Sequence, residues 1–292
     1  MTRTSQTTLR LVMPQWQGGD LPAYRVGAKI LEALLPDATG PVETIAIPVE
    51  SDRSEQDGIK ARAALLAQLD AAREAIAKHA PEAIMTVGGD CLVDLAPIAY
   101  LAEKYEDDMA VLWVDAHPDV MNKSLFSHAH AHVLAMLLGD GDADFTSVVK
   151  RPVDPKKVLY VGVNDMMDVE ETYLADRGMS VIGPDALRAN PQAVVDWLKA
   201  SGATKVAVHF DLDVLNPVGR DYLLFNKPDA PEGAFEGVAT GKLELEEIVS
   251  LLKGVAGELD MVGLAITEFL PWDMINLSRT LAELPMVGSE NA

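Results

Sequence analysis

Short apolar, β-branched runs alternate along this chain with longer stretches in which apolar residues recur at helical spacing. Ala83 to Val87, Ala110 to Val114, Lys156 to Val161, Val206 to Phe210 and Met261 to Ile266 are too short for helices and are bounded by turn or polar residues, so the pattern predicts buried strands. Ile59 to Lys78, Leu92 to Lys104, Val194 to Ala200 and Leu243 to Val255 carry the apolar period of amphipathic helices. Strand then helix, repeated over most of the length, implies crossovers between parallel strands with helices on both sheet faces. The expected fold class is α/β: a doubly wound, three-layer α/β/α sandwich around a central, mostly parallel sheet. No internal repeat, low-complexity tract or linker-like composition shift interrupts the pattern, so residues 1–292 are expected to form one domain. The Pro/Gly-rich stretch from Asn216 to Gly241 reads as a long loop after a strand, a place for substrate contact.

Charge narrows the partners. A formal net charge of −21, with no basic stripe, repels nucleic acid phosphates and anionic lipid headgroups, so neither nucleic acid nor membrane is expected as a partner. No stretch approaches the roughly 18 apolar residues of a membrane span, and the opening MTRTSQTTLR leads into too short an apolar run for a secretory segment. A cytoplasmic location is the expectation. The single cysteine, Cys91, excludes a disulfide within the chain and is compatible with a reducing compartment.

In open parallel sheets ligands bind beyond the carboxyl ends of the strands, so polar residues that directly follow an apolar run carry the candidate chemistry. Val87 to Cys91 ends a strand in two glycines and presents Asp90 and Cys91; alone, this is common turn chemistry. In Trp113 to Asp119, the residues Asp115, His117 and Asp119 alternate beyond a strand, and extended backbone would project all three to one face. Asp211 and Asp213 cap the run Val206-Ala207-Val208 as a second alternating carboxylate pair. Together the two clusters supply enough oxygen and nitrogen donors for two divalent cations sharing bridging carboxylates. Without a cation, such clustered charges in a partly buried site would repel. Glu268 follows a fourth strand, where a carboxylate can bind a guanidinium through paired hydrogen bonds or serve as a helix N-terminal charge.

In order along the chain these residues resemble the arginase/agmatinase (ureohydrolase) family, whose pattern is a Gly-Gly-Asp-His, an Asp-Ala-His-x-Asp, an Asp-x-Asp-x-x-Asp-Pro and a late Glu. The resemblance spans Val87 to Pro271. It implies an arginase-like fold and a binuclear Mn²⁺ site with Asp115 and Asp211 bridging, Asp119 on the first metal, and His117 and Asp213 on the second. It further implies Glu268 as the guanidinium holder, His130 as a proton shuttle, and Asp213 or Asp119 orienting a hydroxide that bridges the cations. The implied reaction is hydrolysis of a C–N bond in a small guanidino or amidino substrate, releasing urea. Relatives commonly assemble as homo-oligomers, trimers or hexamers.

The chain departs from that pattern in four places. Cys91 stands where the family places the histidine ligand of the first metal; a thiolate there suits Zn²⁺, Fe²⁺ or Co²⁺ better than Mn²⁺, with Ni²⁺ a further choice, while an inert buried thiol is the alternative. Asn216 replaces the last Asp of Asp-x-Asp-x-x-Asp-Pro. The segment after Asp119 lacks the family's amino acid contacts, and among Asp165, Asp168 and Glu171 the substrate-amine role is carried by Asp168. His128 and His132 flank His130, so the shuttle's register stays open by two. Two other readings remain: a hydrolase of an N-hydroxyguanidine, formimino group or acylated amine on a single-metal site, and a non-catalytic subunit of the same fold.

Overall fold

The run Met109–Val114 is buried at every position, which requires cover on both faces of its strand. That cover is present in the computed structural model, which describes residues 7–282. The elements run β1 (Thr8–Met13), α1 (Ala23–Leu34), β2 (Val42–Thr44), α2 (Arg62–His79), β3 (Ala83–Gly88), α3 (Leu95–Tyr105), β4 (Met109–Val114), α4 (Val133–Leu137) and β5 (Val158–Val161). They continue with α5 (Asp168–Arg177), β6 (Ser180–Ile182), α6 (Gln192–Ala200), β7 (Lys205–Asp211), α7 (Leu245–Glu258), β8 (Asp260–Thr267) and α8 (Trp272–Ala282). The opening residues 1–6, read above as part of a non-secretory start, lie outside the described residues. Among the described residues, no helix is long and apolar enough to cross a membrane.

All eight labelled strands join one parallel sheet in the order β2-β1-β3-β8-β7-β4-β5-β6. The two-residue period of the pleat divides the core. On β4, Val111 and Trp113 pack with residues of α2, α3 and α4, while Ala110, Leu112 and Val114 pack with residues of α6 and α7 on the opposite face.

The register explains where chemistry collects. Val87 pairs with Ile266, Ile266 with Phe210, and Phe210 with Val114, so the carboxyl ends of β3, β8, β7 and β4 lie side by side at one level. The four polar segments singled out in the sequence each follow one of these strands.

The α/β reading holds, with local differences. The helix expected from Ile59 begins at Arg62 instead. Asp57 and Gly58 both take positive φ (52° and 80°), a turn that closes a small antiparallel ribbon of Glu55–Gln56 against Ile59–Lys60. The Asn216 to Gly241 stretch has only a short turn of helix, Leu224–Asn226.

Candidate metal centre

Trp113 and His209 are register partners on β4 and β7, and their rings stack with centroids 3.8 Å apart and planes 11° from parallel. Two residues further, the pleat carries Asp115 and Asp211 to the same face, both essentially inaccessible. The chain then turns identically after both strands. Asp115 Oδ1 accepts from the His117 backbone N–H (2.7 Å), and Asp211 Oδ1 accepts from the Asp213 N–H (2.6 Å). These turns bring His117 Nδ1 to 3.1 Å from Asp213 Oδ2 and 3.6 Å from Asp115 Oδ1.

At the end of β3 the chain passes so close to a neighbouring loop that a Cβ on Gly89 would lie 1.7 Å from the Gln15 carbonyl oxygen; only glycine fits. Asp90 then accepts hydrogen bonds from the N–H groups of Gly18, Gly19 and Leu92, which caps a short 3₁₀ turn, Cys91–Asp94. The turn delivers Cys91 Sγ to 2.8 Å from Asp211 Oδ2. At the end of β8, Glu268 takes φ 62°, donates its N–H to the Gly89 carbonyl, and accepts a 2.6 Å hydrogen bond at Oε2 from the Tyr24 hydroxyl. Asp119 also has positive φ (52°). Such backbone conformations in non-glycine residues cost free energy and collect at functional sites.

Three sets of donor atoms converge to within 4.8 Å of one another: Cys91, Asp115, His209 and Asp211; Asp115, His117 and Asp213; and Asp211, Asp213 and Glu268. Among the described residues, His117 Nε2, His209 Nε2, Asp119 Oδ2 and Asp213 Oδ1 are buried without a hydrogen-bond partner, an arrangement that native cores avoid. Burial first, and neighbouring carboxylates second, push Asp115 up and Asp119, Asp211 and Glu268 well above the usual carboxylate range. Asp213 goes the other way: burial would raise it, but the His117 ring beside it wins. Burial would lower His117, but Asp213 and Asp115 reverse that and hold it well up. Burial, followed by the charges of Asp211 and Glu268, pushes the Cys91 thiol well up. Crowded acidic oxygens, imidazole nitrogens and one sulfur form a donor set that divalent cations fit, because a cation would take up donor atoms that lack a partner and would reduce the repulsion between carboxylates.

The centre floors a cavity of about 570 Å³, and neither lysine nor arginine is among its lining residues. His130 lines it, with Nδ1 on the Gly18 carbonyl at 2.9 Å. Burial lowers the pKa of His130 to about 4, so the ring is neutral at pH 7, with Nε2 left free. His128 lines the cavity as well, whereas His132 turns away onto the Phe126 carbonyl. The loop after β7 contributes Leu224 and residues 235–239 to the wall.

Several expectations need correction. The alternation of Asp115, His117 and Asp119 is not carried by extended backbone, because β4 ends at Val114 and Asp119 sits on a left-handed turn. Asp119 is buried and lines the cavity but belongs to none of the three donor sets; His209 stands with Cys91, Asp115 and Asp211 instead. Asp168 is exposed at the start of α5 and does not line the cavity. Glu170, two residues later in the first turn of the same helix, does, with its carboxylate on the Met167 N–H. Asn216 caps a local turn through the Val218 N–H and does not touch the centre. Tyr24, Asp94 and His209 went unassigned in the sequence; for His209 the signal was there, since His209, Asp211 and Asp213 repeat the alternation seen at Asp115.

Comparison with known proteins gives the family and the fold. The arginase family model matches residues 27–219, more than half of the chain. Arginase from Staphylococcus aureus is 20% identical over 188 residues, covering 61% of this chain and 62% of its own. Arginase from Entamoeba histolytica is 25% identical over 170 residues, covering 55% and 56%. The chain thus spans about six-tenths of the length of these curated relatives. The crystal structure of Entamoeba histolytica arginase in complex with L-ornithine superposes with a TM-score of 0.76 at 20% identity over 93% of both chains. Formimidoylglutamase from Bacillus subtilis superposes with a TM-score of 0.64 at 15% identity, over 93% of this chain and 81% of its own. On the family match, with the fold alongside it, the chain belongs to the arginase family.

Proposed function

We propose that the chain is a metal-dependent hydrolase that cleaves a C–N bond of a guanidino-type substrate and releases urea. One observation carries the reading: Asp119, Asp211, Asp213 and Glu268 are all buried and line the floor of a cavity that no lysine or arginine lines, with the equally buried Asp115 grouped with Asp213 and His117 beside them. Asp115, Asp211 and Asp213, with His117 and Cys91, are the residues that would hold the cations. When bound, divalent cations in such a set lower the pKa of coordinated water and polarise the substrate.

The chain's own groups divide the remaining work. Glu268 lines the cavity with Oε2 held by Tyr24, and its Oε1, which lies 3.6 Å from Cys91 Sγ, is the oxygen assigned to a planar guanidinium N–H. The neutral His130 ring, fixed by Gly18 at Nδ1, offers Nε2 to accept and return a proton during collapse toward the leaving amine.

The mouth supports a substrate class. Leu125, Phe126, Met167, Val169 and Val238 line the cavity, and each is more than two-fifths exposed. With no lysine or arginine among the lining residues to meet a carboxylate, this mouth suits a guanidine or amidine with an apolar body better than a free amino acid. Urea release should be measured from arginine, its decarboxylated analogue and aryl-alkyl guanidines, with Mn²⁺, Co²⁺, Ni²⁺, Fe²⁺ and Zn²⁺ supplied separately. Urea from a guanidine in the parent and none from Asp211→Ala supports the proposal. Release of urea by Asp211→Ala at the parent rate contradicts it.

A further inference from the structure

The same turn that puts Cys91 where the family pattern has histidine also carries Asp94, three residues later and 2% exposed. Asp94 Oδ2 lies 2.8 Å from His209 Nδ1. That bond places the ring hydrogen on Nδ1 and leaves a lone pair on Nε2. His209 is fully buried, its Nε2 has no partner among the described residues, and that atom sits 3.8 Å from Asp115 Oδ2, beyond hydrogen-bond reach. Stacking on Trp113 fixes the ring plane.

A buried Asp–His pair beneath a sheet is costly to fold, and well-packed apolar residues in its place would be at least as stable. A carboxylate on the far nitrogen of an imidazole is, however, the arrangement that orients a metal ligand. Resting on the cation-centre reading above, we propose that His209, positioned by Asp94, replaces the imidazole that Cys91 displaces. The first cation is then held by Cys91, Asp115, His209 and Asp211. A sulfur, an imidazole nitrogen and two carboxylates form a softer, more closed set than the oxygen-rich neighbour around Asp115, His117 and Asp213. The site accordingly selects Zn²⁺ or Co²⁺ over Mn²⁺.

The test is titration of the metal-stripped full chain with Co²⁺, read by optical absorption. The expected result is a sulfur-to-cobalt charge-transfer band that saturates, is lost in Cys91→Ser and is lost or strongly weakened in His209→Asn. Asp94→Asn should keep the band while weakening Co²⁺ affinity about 10- to 100-fold. Circular dichroism establishes that each variant is folded. Should His209→Asn fail to fold, X-ray absorption of the Co²⁺-loaded parent decides, with sulfur near about 2.3 Å and imidazole in the same shell expected. Cobalt bound without sulfur or without this imidazole overturns the inference and leaves the carboxylate centre standing. Failure to bind any cation overturns both.

Discussion

The Tyr24 hydroxyl donates a 2.6 Å hydrogen bond to Glu268 Oε2, joining the start of α1 to the residue after β8 across 244 positions of sequence. Both groups are buried, so the bond fixes the direction of the carboxylate proposed to hold the substrate. Tyr24→Phe keeps the ring packing and removes only the hydroxyl. Leaving a buried acceptor without its donor costs about 1–3 kcal/mol, so the variant should melt at a lower temperature, and if the same bond orients Glu268 on the substrate, kcat/KM should fall about tenfold. Steady-state kinetics of the variant check this, and an unchanged kcat/KM would show that Tyr24 does not set the Glu268 geometry.

The buried carboxylates set a pH dependence that cations should reverse. Asp115, Asp119, Asp211 and Glu268 have folded pKa values above the ordinary carboxylate range, chiefly through burial. For a raised pKa, the stability contribution is fully present below the unfolded value and is lost as the pH climbs through the folded one. His117, also held well up by Asp213 and Asp115 against its burial, adds to this loss, and Asp213 alone has the opposite sign, one lowered carboxylate against four raised ones. Metal-stripped protein should therefore melt at a lower temperature at neutral than at mildly acidic pH, and added divalent cation should raise the neutral-pH melting temperature most. Calorimetry in chelator and in metal measures both curves; equal gains at both pH values would count against cations among these carboxylates.

Backbone approach gives a test independent of metal. A Cβ at Gly89 would lie 1.7 Å from the Gln15 carbonyl oxygen, a contact that side-chain rotation cannot relieve. The Gly89 carbonyl also accepts the Glu268 N–H at 2.8 Å. Gly89→Ala must push the end of β3 away from both, and overpacking against backbone should cost about 3 kcal/mol. Denaturant unfolding of the variant reads the loss directly.

The central strands were legible because they are buried on both sides, which leaves an uninterrupted apolar run ended by glycine or aspartate. The edge strands Val42–Thr44 and Ser180–Ile182 lack that signature, being three residues long and partly exposed. β1 was missed because Arg10 interrupts its run. Asp115, His117, Asp211 and Asp213 were found because each lies just beyond a strand. His209 was overlooked because it lies inside one, although the pleat carries it to the same face as Asp211. Tyr24 and Gly18 enter from a segment whose link to Glu268 and His130 is purely tertiary, and no local pattern announces it. Asp168 misled because helix geometry, not acidity, decides which side chains of α5 reach the cavity, and those are Val169 and Glu170.

The central claim, that cations occupy the ends of β4 and β7, is tested most directly by metal content. The full chain and Asp211→Asn are dialysed against Mn²⁺ or Co²⁺ and the bound metal is counted by plasma mass spectrometry. About two ions per chain in the parent, and a clear loss in Asp211→Asn, are expected. A folded parent that retains no ion, or a variant that retains as many as the parent, would contradict the claim.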